Sequence, residues 1–417
     1  MSAVRALIIA QNLPYPTYAG MDLRNWQNVN ALIRISEVGV FGLLSNDPRK
    51  EKAPPVSLAF WRGSHDPALA YPLPAEKRMA RAWLLDPKGH PSDFYYSEAA
   101  AGEIELLINS FKPHVVVIEE LWLHRYIVLL KRHSCRIVLD LHNVETAKFK
   151  QIGNETPGSD LRSKVFRETL PARVKVIERE ASHAVDQIWV CSDIDGRLME
   201  EIHQPPVPIH IVPNSVNIDN YKIVRAGRCP RPKEVAPTRY TIIFPSVFLW
   251  EPSAVAAKFL IEEVLPRLVT IFPDCQLLLP GGQPTAHMIE SAQKDPRIVV
   301  TGVVPNMLPY LAASSIMVVP VFQGGGTRLK ILEAFASNLP VISTAKGAEG
   351  LDVKDGTHLL IAENAEDFVN AVQKLWTDER LAKHLASNGL ELVKQNYSWK
   401  VIGQRIDTAV HELRLTQ

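Results

Sequence analysis

The sequence predicts an α/β protein made of two doubly wound domains, each a parallel sheet covered by helices on both faces. Three observations predict it. The chain has 417 residues, too many for one ordinary core and enough for two domains of roughly 200 residues each. Short apolar, β-branched runs recur between segments of helical periodicity, the pattern of strands buried on both faces. These runs form two series, separated by a stretch with no periodicity that could bury a face.

The first series is RALIIA, VGVFGLL, HVVVIEE, RIVLDLH, DQIWVCS and PIHIVPN, and the second is YTIIFPSV, CQLLLPGG, RIVVTG, SIMVVPV, PVIST and HLLIA. Between them lies KIVRAGRCPRPKEVAPTRY, with prolines at 230, 232 and 237. The boundaries expected are therefore 1–224 for the first domain, 225–238 for a linker and 239–395 for the second domain, with 396–417 as a final helix. That last segment is amphipathic, with Val401, Ile402, Ile406, Val410 and Leu413 near helical spacing, so it should pack on another element. Two such domains facing one another leave a cleft lined by the carboxyl ends of their strands, where open α/β sheets bind ligands. Residues just after strands carry the functional expectations.

Composition narrows the partners. With 46 Lys+Arg against 45 Asp+Glu and a net charge of +1, no global field recruits nucleic acid, and any anion binding must be local. The four cysteines, at 135, 191, 229 and 275, form no C-x-x-C pair, which indicates a reducing compartment and no structural zinc. No run approaches the length of a signal-peptide core or a membrane span, so a cytoplasmic protein is expected.

The most informative stretch is VVPVFQGGGTRLKILEAFASNLPVIST, residues 318–344. It reads as a strand, a loop through Gly324, Gly325, Gly326 and Thr327, and a helix over 329–337 with Leu329, Leu332, Phe335 and Ala336 inward. Glycines let phosphate oxygens approach the main chain, free N–H groups and the helix dipole favour an anion, and Arg328 and Lys330 supply positive charge. A diphosphate suits this arrangement. The alternative is a tight turn with solvated basic residues, Lys330 pairing with Glu333 one turn on.

GGGTRLKILEAFASNLPVISTAKGAEGL resembles the carboxyl-terminal signature of glycosyltransferase family 4, retaining enzymes of the GT-B fold that use sugar nucleotides. The likeness continues in PNSVN, FPSVFLWEPSAVAAKFLIEEVLPRL, PDCQLLLPGG, IVVTGVVPNMLPYLAASSIMVVP, VLDLHNVE and ASHAVDQIWVCSD. It implies transfer of a hexosyl-type group, with retention, from a UDP- or GDP-linked sugar to a saccharide or lipid-linked acceptor in polysaccharide or glycoconjugate assembly. It also implies that the final helix returns to the first domain and that no metal or other cofactor is needed. By the same resemblance the loop 324–330 holds the donor diphosphate, Glu333 meets the ribose hydroxyls, and Val303 and Val304 lie near the base. Two departures stand out. Where the family carries a carboxylate eight positions before Glu333, this chain has Gly325. Where many members place an Arg and a Lys after the first strand of the second domain, it has SVFLWEPSAVAAK.

In the first half, Gly20 stands where the family often has a glycine pair touching phosphate or acceptor, in a proline-rich loop before a helix expected from about Asp22. Arg24 follows in that helix. His142, just beyond the strand of VLDLHNVE, matches a family histidine expected to hydrogen-bond the donor sugar or hold a neighbouring loop. Asp140 and Asn143 flank it. Glu119 and Glu120 end HVVVIEE and, with Arg24 and the stacking face of Trp122, are candidates for the acceptor. Adjacent strand residues point to opposite faces, so the two glutamates are not expected to work as an acid/base couple. The D-x-D of SDID opens a helix and reads as an N-cap, with no metal requirement. The run RSKVFRETLPARVKVIERE carries Arg162, Lys164, Arg167, Arg173, Lys175 and Arg179; a solvated helix explains it, and attachment at the inner face of the cytoplasmic membrane is also compatible. Other readings are a catalytically silent nucleotide-sugar-binding subunit and an epimerase or phosphorylase on the same fold.

Overall fold

The structure is a computed structural model that describes residues 4–18, 20–44, 47, 52–69, 95–155 and 161–413, without the side chains of 155 and 161–166. The chain divides into two compact units, Met1–Asn214 with Ile402–Gln417, and Ser215–Val401.

In the first unit, β1 (Arg5–Ala10), β2 (Glu37–Gly42), β3 (Phe60–Gly63), β4 (Val115–Glu119), β5 (Arg136–Leu141), β6 (Gln187–Val190) and β7 (Ile209–Ile211) form one parallel sheet. The strand order is β3-β2-β1-β4-β5-β6-β7. All five residues of β4 are buried, which is why its sequence reads as a continuous apolar run rather than an alternation. The chain builds outward from β1 in one direction and from β4 in the other, so the topological switch falls between these two strands. Ligands of doubly wound sheets sit at the carboxyl ends of such a pair.

The second unit repeats this plan. Its strands β8 (Thr241–Ile243), β9 (Gln276–Pro280), β10 (Ile298–Gly302), β11 (Ile316–Val319), β12 (Val341–Ser343) and β13 (Leu360–Ile361) are parallel, in the order β10-β9-β8-β11-β12-β13. The switch lies between β8 and β11. The helix Leu329–Ala336 follows β11 with Leu329, Leu332, Phe335 and Ala336 all buried, as the sequence pattern predicts. Gly389 makes this packing possible: a Cβ there would stand 2.3 Å from the Phe335 ring, so only glycine lets the helix Glu379–Asn396 close on the first helix.

The units do not divide where the prolines suggested. The change of unit comes after Asn214 rather than at 225–238, and a second one comes after Val401 rather than near 395. The reason lies in the short turns at Ile218–Tyr221 and Lys222–Arg225, which are fixed to the second unit. The Tyr221 hydroxyl donates to Glu333 at 2.9 Å, and the Arg225 guanidinium caps the carbonyl of Ala336 at the end of the helix Leu329–Ala336. The main chain of Val216 also bonds Tyr397 and Trp399, at 3.0 and 3.2 Å. The final helix, Trp399–Glu412, buries Ile402, Ile406, Ala409 and Val410, and Gln187 Nε2 donates to its Ala409 carbonyl at 2.9 Å.

Candidate functional site

In the second unit the elements converge on the loop between β11 and its helix. Gly324 and Gly326 take φ of 102° and 73°, left-handed values that a side chain would resist. Arg328, the residue before the helix, folds back over the loop. Its guanidinium donates to the carbonyls of Gly325 and Gly326 through one nitrogen and of Gln323 and Gly324, at 3.4 and 3.2 Å, through the other. With the carbonyls held by Arg328, and with no side chain capping the helix amino terminus, main-chain N–H groups are left for a ligand.

Lys330 lies in the first turn of that helix. Its Nζ stands 3.2 Å from Ser246 Oγ and 4.1 Å from the centre of the Phe244 ring, so it reaches the carboxyl end of β8, across the switch point. Ser246 in turn donates to Ser253 Oγ at 2.7 Å. Burial and the charge of Arg328 lower the Lys330 pKa to about 7, with Glu333 opposing the shift. Burial also lowers Arg328 from its usual value. Neither cation forms an ion pair among the described residues, and the Lys330–Glu333 pairing weighed above is not made at contact distance. Burial raises the Glu333 pKa, while the Tyr221 hydrogen bond and Lys330 work against that.

The backbone around this point is tightly constrained. Gly281, after β9, has φ of 143°, and a Cβ on it would lie 1.7 Å from the Ser246 carbonyl. Its N–H donates to Gly302 at 2.9 Å, which ties the ends of β8, β9 and β10 together. Beyond Gly302, Val303 is 60% exposed and Val304 half-buried. Thr327, in the loop, is buried.

In the first unit the polar residues meet at the carboxyl ends of β1, β4 and β5. Arg24, a candidate for the acceptor, is turned inward instead. It is 1% exposed and pairs with Asp140, bonding its carboxylate through two nitrogens, one of them at 2.9 Å. It also donates to the Val212 carbonyl at 2.8 Å and Asn214 Oδ1 at 3.1 Å. Asn28 donates to Asp140 at 2.8 Å and Glu119 at 3.1 Å.

His142 stands at the outer side of this network with both ring nitrogens engaged. Nε2 lies 3.4 Å from Glu119 and 3.6 Å from Asp140, and Nδ1 lies 3.1 Å from Glu120. Burial opposes its charge, but Glu120, Asp140 and Glu119 raise its pKa well above the ordinary histidine value. The surrounding carboxylates thus favour the charged form of the imidazole. Burial, and then Asp140, push the Glu119 carboxyl up to about 7. Burial also works against the Asp140 carboxylate, yet Arg24 and His142 outweigh it and hold its pKa below the usual range.

Glu119 and Glu120 do not point apart as strand alternation required. Glu120 takes φ of 75°, which ends β4 and lets both carboxylates reach one imidazole; Gln11 binds the far oxygen of Glu120. The loop after His142 is held from below. The amides of Glu145 and Thr146 donate to Glu178 at 2.7 and 2.9 Å, and buried His203 meets the same carboxylate at 2.9 Å. Gly20 opens the helix Gly20–Leu32, and Trp122 packs edge-on against Phe149 at 6.0 Å. Ser192 caps the helix Asp193–His203 by accepting from the Asp195 N–H, as read from SDID. Lys175 and Arg179 are exposed, the solvated face expected, while Arg162 and Lys164 lie outside the described side chains.

Oxygen or nitrogen atoms of Glu119, Asp140 and His142 lie within 4.8 Å of one another, a spacing a metal could bridge. The Arg24 guanidinium already matches Asp140 there, so a divalent ion would face a fixed positive charge. No helix among the described residues is long and apolar enough to cross a membrane.

Comparison with known proteins bears on the fold and on the second unit. Residues 239–378 match the family described as Glycosyl transferases group 1. Sucrose-phosphate synthase from Thermosynechococcus elongatus superposes with a TM-score of 0.73 at 17% identity, over 99% of each chain. The Anabaena protein HepE, solved in complex with UDP and glucose, superposes with a TM-score of 0.63 at 10% identity, over 97% of this chain and 99% of that one. A glycosyltransferase from Rickettsia africae does so at 0.62 and 11%, over 100% of both. The fold they share with this chain is GT-B. A stretch of 87 residues is 29% identical to an uncharacterized 44.6 kDa protein in the cps region of Klebsiella pneumoniae, a match that spans only 22% of that relative and 21% of this chain.

Sequence reasoning singled out the glycine loop, Lys330, Glu333 and His142, and did not single out Ser246, Tyr221, Asn28 and Glu178, which the structure brings into contact with the same networks. Ser246 follows the strand YTIIFPSV and could have been found from that position. Tyr221, Asn28 and Glu178 act across 112, 91 and 33 residues of sequence, and no local pattern announces them.

Proposed function

We propose that this protein is a glycosyltransferase that binds a nucleoside diphosphate sugar in its second unit and transfers the sugar, with retention, to a saccharide or lipid-linked acceptor. The observation that carries the reading is the pair Arg328 and Lys330: two cations at an uncapped helix terminus, at the switch point of a doubly wound sheet, with no carboxylate in contact among the described residues. An anion completes such a site. The match of residues 239–378 to glycosyl transferases supports a sugar nucleotide as that anion, and the UDP bound by HepE supports UDP among the candidates.

As the glycosidic bond to the diphosphate breaks, negative charge grows on the departing oxygens. Lys330 and the loop N–H groups are already oriented to receive it, so little reorganisation is needed. Glu333 would accept from the ribose, and Val303 and Val304 would flank the base. Neither nitrogen of His142 is available to take a proton from an acceptor. This fits a front-side reaction in which the leaving phosphate assists deprotonation.

A second reading is a binding subunit without turnover, favoured by Gly325 in place of the family carboxylate. Thermal unfolding with UDP, GDP, their sugars, NAD and NADP, on wild type and on Arg328→Ala/Lys330→Ala, tests the site. Stabilisation by one nucleoside diphosphate, absent in the double variant, supports the proposal. Stabilisation without transfer to any acceptor favours the silent subunit, and stabilisation that survives in the double variant contradicts the site.

A further inference from the structure

The carboxylate of Glu333 is held at one oxygen only. Tyr221, 6% exposed, donates its hydroxyl to Oε1 at 2.9 Å, while Oε2 has no hydrogen bond among the described residues. The turn that carries Tyr221 is itself fastened to the same helix by Arg225, which reaches the carbonyls of Ala336 and, at 3.3 Å, Ile218. Tyr221 therefore cannot follow Glu333 if that side chain swings; it sets where Oε2 points. Glu333 also lies one helical turn after Lys330, on the side where a bound diphosphate would bring further negative charge.

We propose that Tyr221 is a positioning residue that fixes Glu333 Oε2 as an acceptor for one ribose hydroxyl, and so makes the site select ribonucleoside over deoxyribonucleoside diphosphates. The inference rests on the diphosphate reading above. A carboxylate beside a diphosphate is useful only if it stays ionised and if its neighbour on the ligand donates a proton. The Tyr221 hydrogen bond favours the ionised form, and the ribose hydroxyls are the donors next to a nucleoside diphosphate. A charge-assisted hydrogen bond of this kind is worth roughly tenfold to a hundredfold in affinity.

The test is calorimetric titration with UDP and GDP and with their 2′-deoxy and 3′-deoxy forms, on wild type, Tyr221→Phe and Glu333→Gln, from about pH 5.5 to about pH 8, upward from the ordinary glutamate range. Wild type should prefer one ribonucleotide over a deoxy form by about tenfold or more. Tyr221→Phe should reduce that preference, leave the affinity for the deoxy form unchanged, and move the loss of discrimination at low pH upward; Glu333→Gln should erase it. Equal weakening of ribo and deoxy ligands by Tyr221→Phe, or an unchanged preference, overturns the inference while leaving the diphosphate site standing. Failure of wild type to bind any of the nucleotides overturns both.

Discussion

Lys330 Nζ lies 3.2 Å from Ser246 Oγ and 4.1 Å from the centre of the Phe244 ring. A hydroxyl and an aromatic face stabilise an ammonium only in part, and burial takes its pKa from 10.5 down to about 7. The cation is held in place at a cost to the free protein, and two consequences can be measured.

The first concerns stability. The native pKa lies below the unfolded one, so the unfolded chain binds this proton more tightly. The penalty is complete below pH 7 and fades as pH rises toward 10.5. Lys330→Met, of similar length and without charge, should therefore stabilise the free protein at pH 7 by about 1 kcal/mol. Urea denaturation at pH 7 and pH 9.5 checks the sign: the advantage of the variant should shrink at the higher pH.

The second concerns binding. A diphosphate favours protonated Lys330, so the wild type should take up a proton when it binds UDP or GDP above pH 7, and affinity should fall as pH rises, by up to about tenfold per unit. Titration calorimetry at pH 8 in buffers of different ionisation enthalpy reads the uptake directly. Lys330→Met should show none.

Arg328 acts differently from Lys330, because its fork spans four loop carbonyls. Arg328→Lys keeps the charge but offers one ammonium to that arc of oxygens. It should weaken nucleotide binding nearly as much as Arg328→Ala, by roughly 1.5 to 3 kcal/mol. Near-wild-type affinity in Arg328→Lys would show that charge alone is what the loop requires.

How much of this was legible in the sequence depends on the range of the interactions. The strands are visible because burial on both faces writes each as a contiguous apolar run, and the helix Leu329–Ala336 because its inward residues recur at helical spacing. The glycine loop with Arg328 and Lys330 is contiguous too. The role of Arg328 was not legible: nothing local says that a guanidinium turns back to its own loop rather than outward. Arg24 was misjudged for a related reason, since its partner Asp140 is 116 residues away. The proline-rich stretch suggested a linker by composition, while Tyr221 and Arg225 bind to residues more than a hundred positions on. Glu120 broke the alternation rule through one unusual φ, which no residue type at that position announced.

Two glycines make contrasting tests of the second unit. Gly281→Ala should destabilise it by ~3 kcal/mol, since the new Cβ has a backbone carbonyl 1.7 Å away and φ is 143°. Gly302→Ala meets open space, with only a φ of 70° against it, and should lose about 1 kcal/mol. Chemical denaturation followed by tryptophan fluorescence ranks the two; equal losses would mean that the approach of Gly281 to Ser246 is easily relaxed.

The buried pair of Arg24 and Asp140 predicts a large asymmetry. Removing one partner, as in Arg24→Met, leaves an uncompensated carboxylate and should destabilise the first unit by about 3–5 kcal/mol. Arg24→Met combined with Asp140→Asn should recover part of that loss. A double variant no more stable than Arg24→Met would show that Arg24 works mainly through Val212 and Asn214.

The first unit is not a single stretch of chain. Its sheet is complete by Ile211, but it also includes Ile402, Ile406, Ala409 and Val410 of the final helix, all buried. On the ribosome, the usual order in which the amino-terminal domain folds first cannot run to completion here. The unit that emerges first must wait, with an apolar surface uncovered, until the whole of the second unit has been synthesised and the last helix leaves the exit tunnel.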